Sequence, residues 1–291
     1  MNDQARNLRK WMNEAKRTDS IETKVVAVTS GKGGVGKSNI SLNLAMALAK
    51  QGKKILVIDL DIGMANIDIL MGKEAVFHVA DLLNGEQGIW DVMTEGPFGI
   101  QVIAGGSGLR DIFHLTRDKQ ERFSKQMEML DGYFDYILFD MGAGASAESL
   151  QFVLAADEAV VVTTPEPTSI TDAYAMLKYM YGKNQELPAS LVINRAYSTK
   201  EGEQAANNIR HAVERFLHKK VKLLGIIPHD KHVYKSVIQQ RPFLAAYPAS
   251  PAALAVKRCA ATFSGERTIT SERRTYQRFI GKLKLLLNKG E

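Results

Sequence analysis

Residues 24–38 read KVVAVTSGKGGVGKS, and this stretch decides the fold. Lys24 to Ser30 is a short apolar run. Gly31 to Ser38 fits G-x-x-x-x-G-K-[ST], and Asn39 to Lys50 (NISLNLAMALAK) has the character of a helix. A phosphate-binding loop needs that order: strand, glycine-rich loop, helix. Gly31, Gly33, Gly34 and Gly36, with Val35 between them, let backbone N–H groups curl around phosphate oxygens, and the helix N-terminus adds favourable charge. Lys37 is expected to reach the outer phosphates and the Ser38 hydroxyl to hold Mg²⁺.

Further along, short apolar runs alternate with helical ones. Lys54 to Leu60 (KILVIDL), Asp135 to Asp140 (DYILFD), Glu158 to Thr164, Ala189 to Asn194 and Val221 to Ile227 read as buried strands. Ile100 to Ala104 reads as a shorter one. Arg117 to Asp131, Ser169 to Tyr181 and Glu203 to Leu217 read as helices between them, with more near Lys231 and Ala252. This alternation predicts an α/β fold, a mostly parallel sheet with helices on both faces and right-handed crossovers. Boundaries fall near Glu22 and Gly265. They leave a central domain, 22–265, an N-terminal segment, 1–21, and a C-terminal helix, 266–291.

The 291 residues suffice for one large α/β domain, and 45% hydrophobic with 24% charged residues is ordinary for a globular protein. The single cysteine, Cys259, allows no internal disulfide and no Cys-x-x-Cys metal site. The N-terminus lacks the apolar core of a signal peptide, and no stretch approaches the roughly 20 apolar residues of a spanning helix. A cytoplasmic location is expected, with membrane contact only at the surface. The net charge of +6 belongs to the ends: residues 1–24 carry +2 and residues 266–291 carry +4, so the middle is neutral. A neutral core argues against nucleic acid as a partner. The six histidines show no metal spacing.

Carboxylates to manage Mg²⁺ and water stand at strand ends. Asp59 and Asp61 are two residues apart, on one side of a strand end, at the edge where α/β proteins bind ligands. Asp140 ends Tyr136 to Asp140, as a Walker B acid does, in contact with Mg²⁺ directly or through water.

Lys32, at the second position of the loop, adds a cation that an ordinary phosphate-binding loop does not need. K-G-G-V-G-K-S resembles the deviant Walker A motif of the MinD/ParA ATPases. The resemblance runs from residue 24 to about 264 and implies a MinD-type P-loop fold, binding of ATP/ADP and Mg²⁺, and hydrolysis of ATP to ADP and phosphate. In that family the residue at Lys32 crosses a dimer interface to the partner's nucleotide, which implies a homodimer in the ATP state. The acid at Asp61, in D-x-D-x-G, positions water and metal, and Asp59 is the more structural of the pair. Asp140 to Gly144 resembles the second switch, D-x-x-A-G, with Gly142 where the family often has proline. Glu166, in Thr-Pro-Glu-Pro-Thr (164–168), corresponds to a glutamate that contacts the partner's nucleotide. Asn194, followed by Arg195, corresponds to the asparagine that reads the adenine edge. Pro228 and His229 lie in G-x-I-P-x-D, a loop that borders the adenine through its backbone. Iron–sulfur members need cysteines that this chain lacks.

The two ends point to a role. Tyr276, Phe279, Ile280, Leu283, Leu286 and Leu287 share one helical face, with Arg278 and Lys282 largely on others. Apolar and aromatic residues backed by basic ones suit an anionic membrane surface, although an ordinary terminal helix packed on its own core has the same pattern. MinD-type members end in such a helix, so reversible attachment to the inner face of the cell membrane is expected. At the other end, Asp3-Gln4-Ala5-Arg6-Asn7-Leu8-Arg9 resembles the D-Q-A-x-x-L-R segment of the flagellar-number regulators of this family. Ala5, Leu8, Trp11, Met12 and Ala15 make an apolar stripe, with Trp11 as an anchor. The resemblance implies docking on the GTPase FlhF and stimulation of its GTP hydrolysis, with Gln4 near the attacking water. It also implies flagellar C-ring components as partners. A division-site regulator of MinD type or a DNA-segregating ATPase of ParA type are the alternatives.

Overall fold

The computed structural model describes residues 22–61, 67–106, 117–142, 147–265 and 275–287. The N-terminal readings on Asp3, Gln4, Ala5, Leu8, Arg9 and Trp11 lie outside these residues, as does Gly144.

One eight-stranded sheet, ordered β3-β4-β2-β5-β1-β6-β7-β8, organises the chain. β1 (Lys24–Thr29), β2 (Ile55–Leu60), β5 (Tyr136–Met141), β6 (Glu158–Thr163), β7 (Ala189–Ala196) and β8 (Lys222–Pro228) pair in parallel, and β4 (Gln101–Ile103) joins β2 in the same sense. β2 and β5 are buried at every position, which is why their sequences run apolar rather than alternating. β3 (Thr94–Glu95) pairs antiparallel with β4 at the sheet edge. It was not expected from the sequence, because two residues carry no periodicity.

Helices cover both faces. α1 (Lys37–Ala49), α2 (Ile67–Met71), α9 (Phe243–Ala246) and α10 (Pro251–Gly265) close one core layer. α3 (Val79–Asn84), α4 (Arg117–Glu128), α5 (Ala147–Ala155), α6 (Pro167–Lys183) and α7 (Thr199–Leu217) close the other. α8 (Lys231–Ile238) lies beyond the end of β8. Cys259 is buried in the first layer, and burial pushes its thiol up to about 11, an inert state.

α11 (Thr275–Leu287) belongs to the second layer. Phe279 and Leu283 are 0% exposed, and Ile280 and Leu287 are 6% exposed. The Tyr276 hydroxyl donates to the Met127 carbonyl, and Phe279 packs on Phe139 with ring centroids 5.7 Å apart. Leu286 is half-buried and Lys282 is exposed. In this structure the apolar face that was expected to meet a lipid surface is seated on α4, α5 and β1 of its own domain. The physical reason is that one stripe of apolar residues satisfies a core and a bilayer equally well.

At the sheet edge where β1 begins, Thr23 Oγ1 donates to the Phe134 carbonyl at 2.7 Å and accepts from Gly132 N–H at 3.0 Å. The Val25 N–H donates to Asp157 at 2.8 Å. The opposite edge carries the strand ends at Thr29, Leu60, Met141, Thr163, Ala196 and Pro228, and there the functional side chains converge.

Candidate functional site: a phosphate-binding loop with three strand-end acids

The loop between β1 and α1 needs glycine for specific reasons. Gly34 and Gly36 have φ of 77° and 89°, in the region that disfavours side chains, and Gly36 caps α1. A Cβ on Gly31 would lie 2.2 Å from the Asp172 carbonyl oxygen of α6. That contact holds the loop flush against the helix.

The sheet register places the acids. Asp59 of β2 is opposite Asp140 of β5, and Asp140 is opposite Val28 of β1, so both acid-bearing strand ends lie beside the loop. Lys37 Nζ donates to Asp140 Oδ1 at 2.8 Å, contacts Ser38 Oγ at 3.3 Å and lies 3.8 Å from Asp61 Oδ2. Ser41 Oγ donates to the same Asp140 oxygen at 2.8 Å. Asp140 Oδ2 is buried with no hydrogen-bond partner among the described residues. Burial raises the Asp61 pKa above the ordinary carboxylate value; Lys37 opposes this and Asp140 adds to it. Asp59 accepts from the Asp61 and Ile67 backbone N–H groups, a structural task, as expected. An orphaned carboxylate oxygen beside a hydroxyl and a second carboxylate fits a hard cation, so Ser38, Asp61 and Asp140 are the residues that would hold Mg²⁺.

Beside the loop opens a cleft of about 710 Å³, lined by Gly36, Glu166, Asn194, Arg195, Pro228 and His229 among others. This size suits a small-molecule site. Asn194 is 7% exposed; its Nδ2 donates to the Val35 carbonyl at 2.8 Å, and its Oδ1 accepts from Arg195 N–H at 3.0 Å. In this structure the amide therefore braces the phosphate loop; the base-edge contact is what the resemblance implies. Arg195 has φ of 59°, a strained value for a side-chain-bearing residue.

The ParA family, described as NUBPL iron-transfer P-loop NTPase, matches residues 22–264. This chain belongs to that family. It is similar to the antiactivator FleN of Pseudomonas aeruginosa, 36% identical over 80% of this chain and 83% of the relative. It is also similar to the flagellum site-determining protein YlxH of Helicobacter pylori, 39% identical over 69% of each. Among solved structures, the cell division ATPase MinD of Pyrococcus furiosus superposes with a TM-score of 0.70 at 26% identity, over 83% of this chain and 98% of that one. MinD of Pyrococcus horikoshii, complexed with Mg-ADP, gives 0.70 at 25% identity over 86% and 98%.

For this member of the family, the site brings together Gly31 to Ser38, Asp61, Asp140, Glu166, Asn194, Arg195, Pro228 and His229. Lys32 stands apart from the Lys37 cluster: its Nζ lies 3.4 Å from Glu166 and 3.2 Å from Thr168 Oγ1, on the exposed side of the loop. Three contributors were not read from the sequence. Ser41 lies one helical turn beyond Lys37, a spacing that could have revealed it. Thr168 sits beside Glu166. Tyr197 stacks on His229 with ring centroids 4.7 Å apart at 19°. Its only signal was an aromatic residue shortly after a strand end. Asp230 caps α8 through the His232 N–H and also accepts from Ala252 N–H, which pins the Pro228–His229 wall to α10.

Proposed function

We propose that this chain is an ATP-hydrolysing switch that regulates the number and placement of flagella, working as an ATP-dependent homodimer at the membrane. The observation that carries the chemistry is the meeting of Lys37, Ser38, Asp61 and Asp140 at the heads of three adjacent strand ends. The flagellar assignment rests on the similarity to FleN and YlxH and on the D-Q-A-x-x-L-R segment.

Bound Mg²⁺ would neutralise charge on the phosphate oxygens. The chain's own residues do the rest. Lys37, now held by Asp140, turns to the outer phosphates and stabilises the charge that builds there. Asp61, half-screened from solvent, holds the attacking water in line with the terminal phosphorus. The water oxygen bonds to the terminal phosphorus as the bond from that phosphorus to the bridging oxygen breaks; the electron pair leaves on ADP, and the water's proton goes out with the phosphate product. Asn194 keeps the loop seated, and the Tyr197–His229 pair offers a flat wall for the base. Lys32 leaves Glu166 and reaches across a two-fold axis to the partner's nucleotide, which makes the site complete only in the dimer.

Membrane attachment through Phe279, Ile280, Leu283, Leu286, Leu287 and Lys282 requires α11 to leave its seat. Two α11 helices on one dimer would then act together on anionic lipids. FlhF and flagellar C-ring components are the proposed protein partners, the first through residues 3–11.

Steady-state phosphate release tests the catalytic core. Asp61→Ala is expected to lose at least about 100-fold in turnover while retaining ATP; turnover at the parental rate would remove Asp61 from catalysis. A peptide of residues 1–20 added to the GTPase tests the flagellar reading, and no stimulation would refute it.

A further inference from the structure

α11 leaves a hollow against α4. Between the end of α4 and the outer flank of α11 lies a cavity of about 470 Å³. Its floor is the buried Tyr276 and Ile280, with Gly281; its rim is Glu128, Asp131 and Lys284. Gly281 stands inside a helix, where glycine costs up to about 1 kcal/mol relative to alanine. No atom lies within 4 Å of where its Cβ would be, so no described residue requires a glycine there. The missing side chain keeps the cavity open.

The chain enters the domain at this cavity. The two hydrogen bonds of Thr23 tie it to the 132–134 turn, and Gly132 follows Asp131 directly. Glu22, to which residues 1–21 are joined, therefore stands beside the rim. From Ala15 to Glu22 the chain spans at most about 25 Å, and α11 is about 20 Å long, so the apolar stripe of Ala5, Leu8, Trp11, Met12 and Ala15 can fold back along the whole hollow. Charge favours the same fit. Residues 1–21 carry five Lys/Arg against three Asp/Glu. On the rim, Lys284 is paired with Glu128, while Asp131 is held beside Glu22. Burial raises the Asp131 pKa most, the Gly132 N–H opposes it, and Glu22 raises it further, so a cation placed there relieves the carboxylate.

We propose that the N-terminal segment of this chain docks its apolar stripe into the hollow between α4 and α11. The C-terminal helix then has two tasks: seated, it supplies one wall of the dock; departing, it releases the segment. Stimulation of a partner GTPase would be withheld until α11 leaves. This last consequence rests on the reading of residues 3–11 under Proposed function; the docking itself does not.

The test uses the full chain carrying Met12→Cys and Gln277→Cys in a Cys259→Ser background. Under mild oxidation an internal disulfide is expected at about tenfold the yield of a control pairing Met12→Cys with Lys231→Cys at the opposite sheet edge, given the millimolar effective concentration of a tethered segment. Equal yields overturn the proposal. Gly281→Phe fills the hollow and is expected to abolish the preference; a preference that survives it also overturns the proposal. Should that variant fail to fold, Trp11→Ala removes the anchor from the other side. Amide exchange over residues 4–15 is then expected to quicken about tenfold in Trp11→Ala, and unchanged exchange counts against docking. A 1–20 peptide that fails to stimulate the GTPase, with the cross-link still formed, refutes the GTPase reading and leaves the dock standing.

Discussion

Asp157→Asn separates the charge of one partly buried carboxylate from its hydrogen bond. Asp157 accepts from the Val25 N–H at 2.8 Å at the start of β1. Burial pushes its pKa from the ordinary 3.8 to about 7, and the Val25 hydrogen bond and the charges of Lys282 and Lys24 recover only part of that. Folding therefore takes up a proton between about pH 4 and pH 7, so native stability is greatest below that window and falls as pH rises through it. The rise is worth up to about 4 kcal/mol, at about 1.4 kcal/mol per pH unit. Asparagine keeps an oxygen for Val25 N–H and resembles the protonated acid. Urea unfolding of the parent and Asp157→Asn at about pH 4 and about pH 8 measures the difference. The variant is expected to match the parent within about 1 kcal/mol at the lower pH and to exceed it by about 2–4 kcal/mol at the higher one. A variant less stable than the parent by the same amount at both would refute the reasoning. It would mean the carboxylate is ionised in the fold and held by the two lysines.

Three further outcomes are expected. Gly31→Ala drives a methyl group into the Asp172 carbonyl, so nucleotide affinity measured by calorimetry should fall at least about tenfold, about 1.4 kcal/mol; unchanged affinity would mean the loop is not seated on α6. Lys32→Ala removes an exposed pair at 3.4 Å, worth under about 1 kcal/mol, so the melting temperature should barely move while ATP-dependent dimers vanish from light scattering. Dimers that persist would refute the crossing role. Phe279→Ala opens the packing under α11 at a cost of about 3–5 kcal/mol. Protease cleavage within residues 266–274 should accelerate; a variant cleaved at the parental rate would show that this side chain does not hold the helix down.

The central strands and the phosphate loop were legible because each is a local signal: an apolar run, or glycines at fixed spacing. Asp140 and Asp61 were legible as strand-end acids. What brings them to Lys37 is the β2–β5–β1 register, which joins residues 81 positions apart in one pair of strands and 112 in the other and leaves no periodicity to read. The Tyr197–His229 stack is invisible for the same reason. Asn194 was placed by resemblance, but its bond to Val35 depends on where the loop passes over β7. α11 was the ambiguous element. Its stripe states that something apolar covers Phe279 and Leu283, and the choice between bilayer and core is made by α4 and α5, not by the helix itself.

α5 begins where the loop after Asp140 ends, and its far side is the surface on which α11 rests. Nine residues at about 1.5 Å each put roughly 13 Å between the two ends of this helix. Close-packed interiors pass displacement on rather than absorb it, so a shift of α5 would be felt beneath α11. The fold thus sets the strand end that carries Asp140 and the seat of α11 at the two sides of one short helix.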